Sequence, residues 1–327
     1  MLSSRGRNTV DAQADEVTRD LMESELDRVL VEADERAGLF GPDSVVWAVS
    51  RYSVVNLGAT GLGGVVDGAH PWIAQGVLDH SKLFDDPDKR FESTYSLLNR
   101  LVFGDARQVR KVARALYGMH VRVDGTLPQQ AARFEAGSTY RANQVEALVW
   151  VHLVYFWLRM RLYQELVGDL PEEQWDRFAV ESARFGACFG IPMDRLPQDA
   201  ASLRESFHAF ITGDSLGPSA ALDEILDQLN SLLPFFARPG FNALYMLILP
   251  VEVHRTLHLH DKPLTRRLQR PVRLALRIGI RLMPRSVRFL PAYHEAQHRL
   301  GGPKVGWLTR RFNQRLIGRP TVLSTTP

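Results

Sequence analysis

Four polar side chains within one stretch of the chain are of types that can bind a cofactor. Arg90 and Thr94 lie four residues apart, His120 follows Leu116 by the same interval, and His152 lies inside an apolar segment. Residues four apart share one face of a helix, so Arg90 and Thr94 are predicted to lie side by side. A buried histidine must be hydrogen-bonded or ligate something, and a guanidinium beside a core needs an anion or a carbonyl group. This arrangement is expected of a cofactor pocket between helices, with an ion pair to a structural acid as the alternative for Arg90.

Two further histidines flank a segment upstream of this stretch. His70 precedes Pro71, which suits the first turn of a helix, and His80 precedes Ser81. Their separation of ten residues is too long for two metal ligands on adjacent turns of one helix. A capping role and a place in the pocket are equally compatible with each of them.

His294, Glu295 and His298 match a zinc-peptidase pattern, in which histidines four apart bind the metal and the glutamate activates water. The pattern needs a third ligand. No Asp or Glu follows Glu295, and Lys304 occupies the place of the third histidine in the longer form of the motif. A zinc site here would therefore need an unusual ligand from upstream.

Ser215 stands in the sequence Gly-Asp-Ser-Leu-Gly, which is similar to the nucleophile elbow of serine hydrolases. That elbow joins a strand to a helix within an α/β sheet. Here a helical pattern precedes the serine and Pro218 follows it, in a chain without convincing parallel strands. A loop between helices is the better interpretation, and hydrolysis at Ser215 is the alternative.

The composition is that of a globular protein with a large core. The 327 residues are 45% hydrophobic and 24% charged, enough for one large domain or two smaller ones. The single cysteine, Cys188, excludes an internal disulfide and fits a reducing compartment. We expect a cytoplasmic protein, because neither a signal peptide nor an apolar run of about 18 residues is found. The longest apolar segment, from Phe241 to Val253, is predicted to be a core helix.

Positive charge is concentrated near the C-terminus. Residues 262–319 hold fifteen Lys or Arg and one acid, a balance of +14, which leaves −11 for the rest of a chain whose net charge is +3. This asymmetry indicates contact with an anionic surface, whether a membrane, a nucleic acid or an acidic part of the same fold.

Arginines interleaved with apolar residues from 262 to 288 predict two basic amphipathic helices, broken at Pro271 and Pro284. Packing of their apolar side on the core is favoured, and peripheral membrane contact through 262–288 is the alternative. No nucleic-acid partner is expected.

Helical periodicity runs through nearly the whole chain, and no alternating strand pairs or internal repeats are found. We therefore predict an all-α multi-helix bundle. Its predicted parts are an acidic, solvated helical extension at 1–38, a main domain at 39–300 and a basic tail at 301–327. Further helices are predicted from Pro87 and at 171–189, 199–212, 219–233 and 240–258.

Capping residues place the two helices that carry histidines. Asp105 is suited to cap the helix that ends with His120, and a turn at Asp124-Gly125 follows it. Asn143 and Glu146 resemble a capping box for a long helix, apolar nearly all round, that carries His152 and runs to about Leu166. Glycines between residues 38 and 69 lack the spacing of a phosphate-binding loop and predict close packing of the backbone against a neighbour or a flat ligand.

Short pieces of the chain occur in the order typical of one known family. They are His70-Pro71 with Ala74, Gly76 and His80-Ser81; Arg90 with Thr94 and Tyr95; Phe103-Gly104; Met119-His120, Val123 and Gly125; Tyr140 and Ala142; Trp150-Val151-His152; and Gly190 with Pro192 and Pro197. In this ordered set, over roughly residues 40–215, the chain resembles the haem-dependent oxygenase family of latex clearing protein (rubber oxygenase) and the fungal mpaB-type oxygenases.

The resemblance implies a helical bundle that holds haem b between central helices and cleaves olefinic bonds, chiefly of isoprenoid chains, with dioxygen. His120 matches the proximal ligand of the haem iron, and His152 matches a second histidine of the haem environment. His70 and His80 are further candidates for that environment. Arg90 and Thr94 match a polar pair on the distal side, where a cation and a hydroxyl polarise dioxygen. We therefore expect a haem b-dependent oxygenase that acts on an apolar, olefinic or isoprenoid small molecule.

Two positions depart from the family's pattern. Latex clearing proteins place a lysine before the threonine as a sixth ligand, whereas this chain has Ser93, so five-coordinate or water-bound iron is expected. The region of their acidic base, Trp72 to Leu78, contains no Asp or Glu and has only Gln75. Rubber cleavage with a carboxylate base is therefore not the expected reaction. The alternative function is a non-enzymatic haem- or lipid-binding protein at a membrane surface.

Overall fold

Nearly all regular structure in the computed structural model, which describes residues 15–81, 86–232, 238–257 and 263–323, is α-helical. The first described helices are α1 (Arg19–Val31), α2 (Val45–Ser50), α3 (Ser53–Asp67), α4 (Pro71–His80), α5 (Pro87–Phe103), α6 (Ala106–His120) and α7 (Val145–Leu166). They are followed by α8 (Glu172–Ala187), a 3-10 turn (Met193–Arg195), α9 (Ala200–Thr212), α10 (Ala220–Leu232), α11 (Arg238–Ile248), α12 (Val251–Thr256), α13 (Pro263–Leu282), α14 (Arg285–Arg288), α15 (Pro291–Arg299) and α16 (Trp307–Ile317). The predicted all-α fold is confirmed.

The longest helix, α7, lies at the centre of the bundle because its sequence is apolar on nearly every side. Helices α3, α8, α9 and α13 pack around it. Trp157 of α7 stacks on Phe207 of α9 at a ring-centroid distance of 4.1 Å, and Phe156 packs on Phe185 of α8 at 5.2 Å. The predicted central helix and its end at Leu166 are confirmed.

Glycines of α3 let this helix approach α7 closely. A Cβ atom at Gly58 would lie 3.2 Å from Leu162 Cδ1, and one at Gly63 would lie 3.8 Å from Leu158 Cδ1. The prediction of close backbone packing is confirmed at these two glycines. A Cβ atom at Gly61 would have no neighbour within 4 Å, so helix packing does not require glycine at this position.

The N-terminal helix α1 is more buried than its acidic composition predicts. Met22, Leu26 and Val29 are buried, and the helix packs against α6 and α8. Its polar side is fixed by an ion pair between Glu23 and Arg114 of α6, with Oε1 and Nε 2.8 Å apart. The expectation of a solvated helix is wrong for one face of α1, because its few apolar residues still form a stripe at helical spacing.

Two capped helices, α5 and α6, carry Arg90, Thr94 and His120. Asp86 accepts a hydrogen bond from Lys89 N at 3.1 Å at the start of α5. Asp105 and Gln108 form a capping box at the start of α6, so both predicted helix starts are confirmed. The residue between the two helices must be glycine, because a Cβ atom at Gly104 would lie 2.2 Å from Arg100 O.

A small antiparallel sheet follows α6 at the place of the predicted turn. Strand β1 (Asp124–Thr126) pairs with β2 (Thr139–Arg141), and Gly125 lies opposite Tyr140. A Cβ atom at Gly125 would lie 2.5 Å from the Tyr140 hydroxyl, so this pairing requires glycine. The turn at Asp124-Gly125 and the expectation of no paired strands are therefore wrong, because three-residue strands are too short to show alternation in the sequence.

Of the two helix breaks predicted between residues 262 and 288, the one at Pro284 is confirmed and the one at Pro271 is wrong. α13 continues through Pro271, and α14 begins only after Pro284. Pro271 is exposed, so the backbone carbonyl that loses its helical donor there can be hydrated. The apolar segment at 241–253 is instead divided at Pro250, because the residue before a proline disfavours the helical conformation.

The basic tail packs against the helix that carries Arg90. α16 contacts α5, and Arg319 Nη2 donates to Ser96 Oγ of α5 at 2.6 Å. The buried Glu295 accepts hydrogen bonds from the backbone N–H groups of Val322 and Leu323, at 2.8 and 2.7 Å. Part of the positive charge of the tail, such as that of Arg319, is therefore engaged in contacts within the fold.

Candidate cofactor site

His120, the last residue of α6, is half-buried and has a neutral imidazole at pH 7. Burial lowers its pKa to about 4, against a smaller opposing effect of a hydrogen bond to Asn143, and the cation of Arg90 lowers the pKa further. Its ring stacks on Phe189 at a centroid distance of 6.1 Å and an interplanar angle of 28°. A neutral imidazole keeps a nitrogen lone pair, so His120 can ligate a metal ion.

Arg90 of α5 is brought close enough to His120 to repel its proton. The side chain of Arg90 reaches the surface, yet desolvation around its guanidinium lowers its own pKa. Within the described ranges no carboxylate contributes to that shift. Thr94, one turn later on the same face, is half-buried. Arg90 is therefore near His120 where α5 and α6 lie side by side, and Thr94 lies on the same face of α5 as Arg90.

Asn143 is a site residue that sequence reasoning assigned to another role. The predicted capping box is wrong, because the N-cap of α7 is Gln144, without a side-chain cap hydrogen bond. Asn143 is instead buried beside His120, and its amide nitrogen has no hydrogen-bond partner in the described part of the chain. Its backbone carbonyl accepts from Val17 N at 2.9 Å, which fixes the segment before α7. An Asn three residues before a Glu is a genuine capping pattern. Only the folded structure therefore distinguishes a helix cap from a residue beside His120.

His152 lies in a different part of the core, between α7 and α8. Its Nε2 is 3.4 Å from Ser182 Oγ, and its Nδ1 has no partner among the described residues. The Ser182 hydroxyl donates to Ala179 O at 2.7 Å, so the imidazole donates to Ser182 from Nε2. Burial lowers the His152 pKa to about 3. A Cβ atom at Gly186 would lie 3.2 Å from Nδ1, so glycine leaves room beside this nitrogen.

His70 and His80 lie at opposite ends of α4. His70 is completely buried between Trp72 and Phe134, and neither ring nitrogen has a hydrogen-bond partner in the described ranges. Burial and the nearby cation of Arg133 lower the His70 pKa to about 3. His80 is exposed and its Nε2 donates to Asp124 O at 2.8 Å, which joins α4 to the sheet. His80 therefore makes a structural hydrogen bond, whereas both ring nitrogens of His70 are buried without a hydrogen-bond partner among the described residues.

The first acid after the region expected to hold a catalytic base is Asp79. Its Oδ2 accepts a hydrogen bond from the Tyr140 hydroxyl at 2.6 Å, and its Oδ1 accepts from Gln75 Nε2 at 2.9 Å. Both oxygens are thus engaged, Oδ2 in holding α4 against β2 and Oδ1 within α4. We assign no proton-abstracting role to Asp79.

The interior contains polar atoms that the described chain leaves without hydrogen-bond partners. Buried polar groups are nearly always paired in a folded protein, so such atoms indicate a partner that the polypeptide does not supply. A bound molecule with polar atoms would satisfy them. They include both ring nitrogens of His70, Tyr95 Oη, Asn143 Nδ2, His152 Nδ1, Tyr155 Oη and two nitrogens of Arg159.

Ser215 lies in the loop between α9 and α10, as the favoured interpretation predicts. Its hydroxyl donates to Glu146 Oε1 at 2.6 Å, and the other oxygen of Glu146 is paired with Arg133. These groups border a surface cleft of about 400 Å³ that Phe210 and Arg195 also line. In the described part of the chain no histidine bonds to Ser215, so the serine lacks the base of a hydrolase triad.

The zinc-peptidase motif does not assemble into a metal site among the described residues. His294 Nε2 donates to Arg285 O at 3.1 Å and His298 Nδ1 donates to Gly302 O at 3.2 Å. The other ring nitrogen of each histidine keeps its lone pair, but no group of three His, Cys, Asp or Glu side chains in the described ranges is arranged to hold a metal ion. Glu295 binds the backbone of the tail, so it has no water to activate.

Comparison with known proteins adds one match. The family model described as "ER-bound oxygenase mpaB/B'/Rubber oxygenase, catalytic domain" matches residues 47–310, which is most of the chain. Searches of characterised proteins and of solved structures found no significant match.

Proposed function

The chain belongs to the family of mpaB and rubber oxygenase catalytic domains, and we propose that it is a haem b-dependent oxygenase that uses dioxygen on an apolar, olefinic or isoprenoid small molecule. The observation that carries this proposal is the neutral imidazole of His120 beside the cation of Arg90, which has no acidic partner in the described ranges. Membership of the family supports the oxygenase class, and these two side chains support the cofactor.

The residues present fit a haem. His120 offers a nitrogen lone pair from a half-buried position and would ligate the haem iron. Asn143 would hold the imidazole in one orientation, in the way that outer hydrogen bonds fix metal-bound histidines. The unpaired polar atoms of the interior supply partners for the polar edge of a porphyrin. When bound, haem supplies the redox chemistry that activates dioxygen.

The side chains on α5 would position dioxygen and substrate. Arg90 provides a fixed positive charge and Thr94 a hydroxyl on the same helical face, and both would attract a polarised dioxygen molecule. Phe91 and Tyr95 of the same helix stack at a centroid distance of 5.8 Å and exclude water from that side. Such walls favour an apolar substrate.

Oxygen uptake with matched substrates tests the proposed activity. Haem-loaded protein should consume dioxygen with an isoprenoid alkene, form carbonyl products visible by mass spectrometry, and leave the saturated analogue unchanged. Arg90→Gln should lower kcat by about 100-fold, because a fixed charge beside the reacting molecule is lost. The haem content should not change, and Arg107→Gln on the exposed side of α6 should behave like the wild type. Equal uptake with alkene and alkane would contradict the proposal.

We also propose that α13 contacts an anionic membrane surface. Leu274, Ile278 and Leu282 recur at helical spacing, and each is between 48 and 78% exposed. The exposed arginines of the same segment are Arg267, Arg270, Arg281 and Arg285. An exposed apolar stripe bordered by arginines is typical of helices that lie in the membrane interface. No helix in the described ranges is long and apolar enough to cross a bilayer.

Other arginines of α13 point inward and support this orientation. Arg277 donates to the backbone carbonyls of Glu165 and Gln164 at the end of α7, at 2.7 and 3.1 Å. Arg273 pairs with Glu165 at 3.2 Å. The inward face of α13 combines these basic contacts with apolar ones, because Ile280 is buried in the core and Leu276 packs against it. The favoured expectation of an apolar side on the core is therefore confirmed for these residues. The exposed stripe of Leu274, Ile278 and Leu282 remains available to lipid.

Vesicle sedimentation tests the membrane contact. Wild-type protein should sediment with phosphatidylcholine vesicles that contain phosphatidylglycerol, more weakly with pure phosphatidylcholine, and less at high salt. A Leu274→Ser, Ile278→Ser, Leu282→Ser variant should bind more than about tenfold more weakly at unchanged charge. The matched control is Val31→Ser with Val180→Ser, two exposed valines elsewhere. Unchanged binding of the triple variant, binding of duplex DNA in place of vesicles, or a dimer that the triple variant abolishes would each overturn the assignment.

A further inference from the structure

Arg159 of α7 is completely buried, and its charge has no acidic partner in the described part of the chain. Its Nη1 donates to Tyr155 O at 2.8 Å, while Nε and Nη2 have no hydrogen-bond partner. Burial lowers the Arg159 pKa to about 10, which still leaves the guanidinium charged at neutral pH. A buried charge without a counter-charge is strongly unfavourable, so an anion bound at this position would stabilise the folded protein.

The nearby acids of α7 are engaged elsewhere. Glu165 pairs with Arg161 at 3.1 Å and with Arg273 at 3.2 Å. Among the residues that the structure describes, Tyr155 is the one charged or titratable neighbour that influences Arg159, and the centroid of its ring lies 3.2 Å from the guanidinium carbon. This cation–π contact covers one face of the guanidinium and leaves the in-plane donors free.

The free donors have the geometry of a carboxylate receptor. Nε and Nη2 lie on the same edge of the planar guanidinium, and two parallel N–H groups on one edge match the two oxygens of a carboxylate. Along the same face of α7, four and seven residues before Arg159, Tyr155 Oη and His152 Nδ1 also lack hydrogen-bond partners among the described residues. Phe185 stacks on Tyr155 at 4.7 Å and contacts Phe156 at 5.2 Å, so the surroundings are otherwise apolar.

We propose that Arg159 is the anchor for a carboxylate of an otherwise apolar ligand that binds inside the bundle. Two sources have this chemistry: a propionate of the haem, and the carboxylate of a fatty-acid-like substrate. The haem source rests on the proposed function, whereas the fatty-acid source does not. Aromatic contacts from Tyr155 through Phe185 and Phe189 connect this arginine to His120, so the anchor and the candidate iron ligand belong to one continuous interior.

Paired probes that differ only at the carboxylate test the proposal in the full chain. Haemin is compared with haemin dimethyl ester by absorption titration, and oleic acid with oleyl alcohol by calorimetry. Wild-type protein should prefer the acid of one pair by about tenfold or more, because a hydrogen bond to a charged group contributes at least this much. Arg159→Met should bind both members of that pair equally. The pair that responds identifies the source of the carboxylate.

Three variants distinguish an anchoring role of Arg159 from a purely structural one. Arg159→Met should be at least as stable as ligand-free wild type, because an apolar side chain of similar volume replaces an uncompensated charge. Arg159→Lys keeps the charge and loses the paired donors, so it should retain only part of the preference. Arg161→Met, which removes a part-buried arginine paired with Glu165, should keep the full preference.

Three results would overturn the proposed role of Arg159. The first is a wild-type protein that binds the acid no more tightly than the ester or alcohol in either pair. The second is an Arg159→Met variant that still prefers the acid; if that variant does not fold, the third is an Arg159→Lys variant that keeps the full preference for the acid. Failure of the haem proposal alone looks different, since the protein would then bind neither haemin nor its ester while the oleic acid pair still reports on Arg159.

Discussion

His120, His152 and His70 are all neutral imidazoles, yet their neighbours give them different capacities. Burial lowers the pKa of His120 to about 4 and those of the other two to about 3. His152 uses one nitrogen for Ser182, and His70 lies among aromatic rings. His120 is the one of the three with both an amide and an unpaired cation beside it, which is the polar environment that a bound haem and dioxygen require.

The role of Asn143 leads to a prediction at this residue. Asn143→Ala removes the amide that orients the His120 ring, and the expected result is a haem affinity about 10 to 100 times weaker, with the absorption band still formed at high haem concentration. Haem titration measures the change. In a His120→Ala background the same substitution should have no further effect; an equal loss in both backgrounds would show that Asn143 does not act through the imidazole.

Burial of His152 predicts a dependence of stability on pH. Its pKa is about 3 in the folded protein and 6.5 when unperturbed, so the unfolded chain binds a proton first as the pH falls. The stability is fully present above pH 6.5 and is lost toward the folded pKa, by up to about 1.4 kcal/mol per pH unit. Urea unfolding at several pH values should give a shallower slope for His152→Leu than for wild type. The exposed His208→Leu should keep the wild-type slope, and identical slopes for all three would contradict the prediction.

Helical spacing was sufficient to predict that Arg90 and Thr94 share one face of α5, because both lie on a regular, capped helix. The family resemblance, and not the spacing, related His120 to this pair. Neither was sufficient for Asn143 or Arg159. Asn143 fits a cap equally well in sequence, and Arg159 stands in an apolar helix whose other arginine, Arg161, has an ordinary partner. Whether a buried polar group is paired depends on side chains distant in sequence, so only the folded arrangement distinguishes these cases.

At the scale of elements, the contact between α3 and α7 gives a paired prediction. Gly58 faces Leu162 closely, while Gly61 on the same helix faces open space. Gly61→Ala should raise the free energy of unfolding by about 0.5 to 1 kcal/mol, because alanine loses less backbone entropy in a helix. Gly58→Leu should lower it by about 1 to 3 kcal/mol, because the side chain overpacks the contact. Urea unfolding measures both, and stabilisation by Gly58→Leu would contradict the described packing.

The elements were predicted well wherever hydrophobic periodicity was strong. The long helix α7 and the caps of α5 and α6 follow directly from their sequences. The orientation of α13 was predicted only in part, because Leu276 and Ile280 pack on the core as expected but arginines contact the core side as well. Here Glu165 and the carbonyls at the end of α7 attract arginines inward. The short strands β1 and β2 were missed because their pairing depends on Gly125 meeting Tyr140, a contact between distant residues.

For the whole molecule, the interior with unpaired polar groups predicts stabilisation by the cofactor. A ligand that binds only the folded chain raises the free energy of unfolding, by about 4 kcal/mol at a free concentration a thousand times its Kd. The Tm of the haem-loaded protein should therefore exceed that of the haem-free protein and rise with haemin concentration. Circular dichroism on heating measures this, and a Tm that haemin leaves unchanged would indicate that the unpaired groups have another partner.

The most direct test of the haem assignment is the absorption spectrum of the purified full chain, recorded for wild type, His120→Ala and His208→Ala at equal haemin. The exposed His208 of α9 is the matched control. Wild type and His208→Ala should show a Soret band with stoichiometric haem, and His120→Ala should lose or bleach it while keeping its helical content. A wild type that binds no haem, or a His120→Ala variant with unchanged band and haem content, would contradict the account.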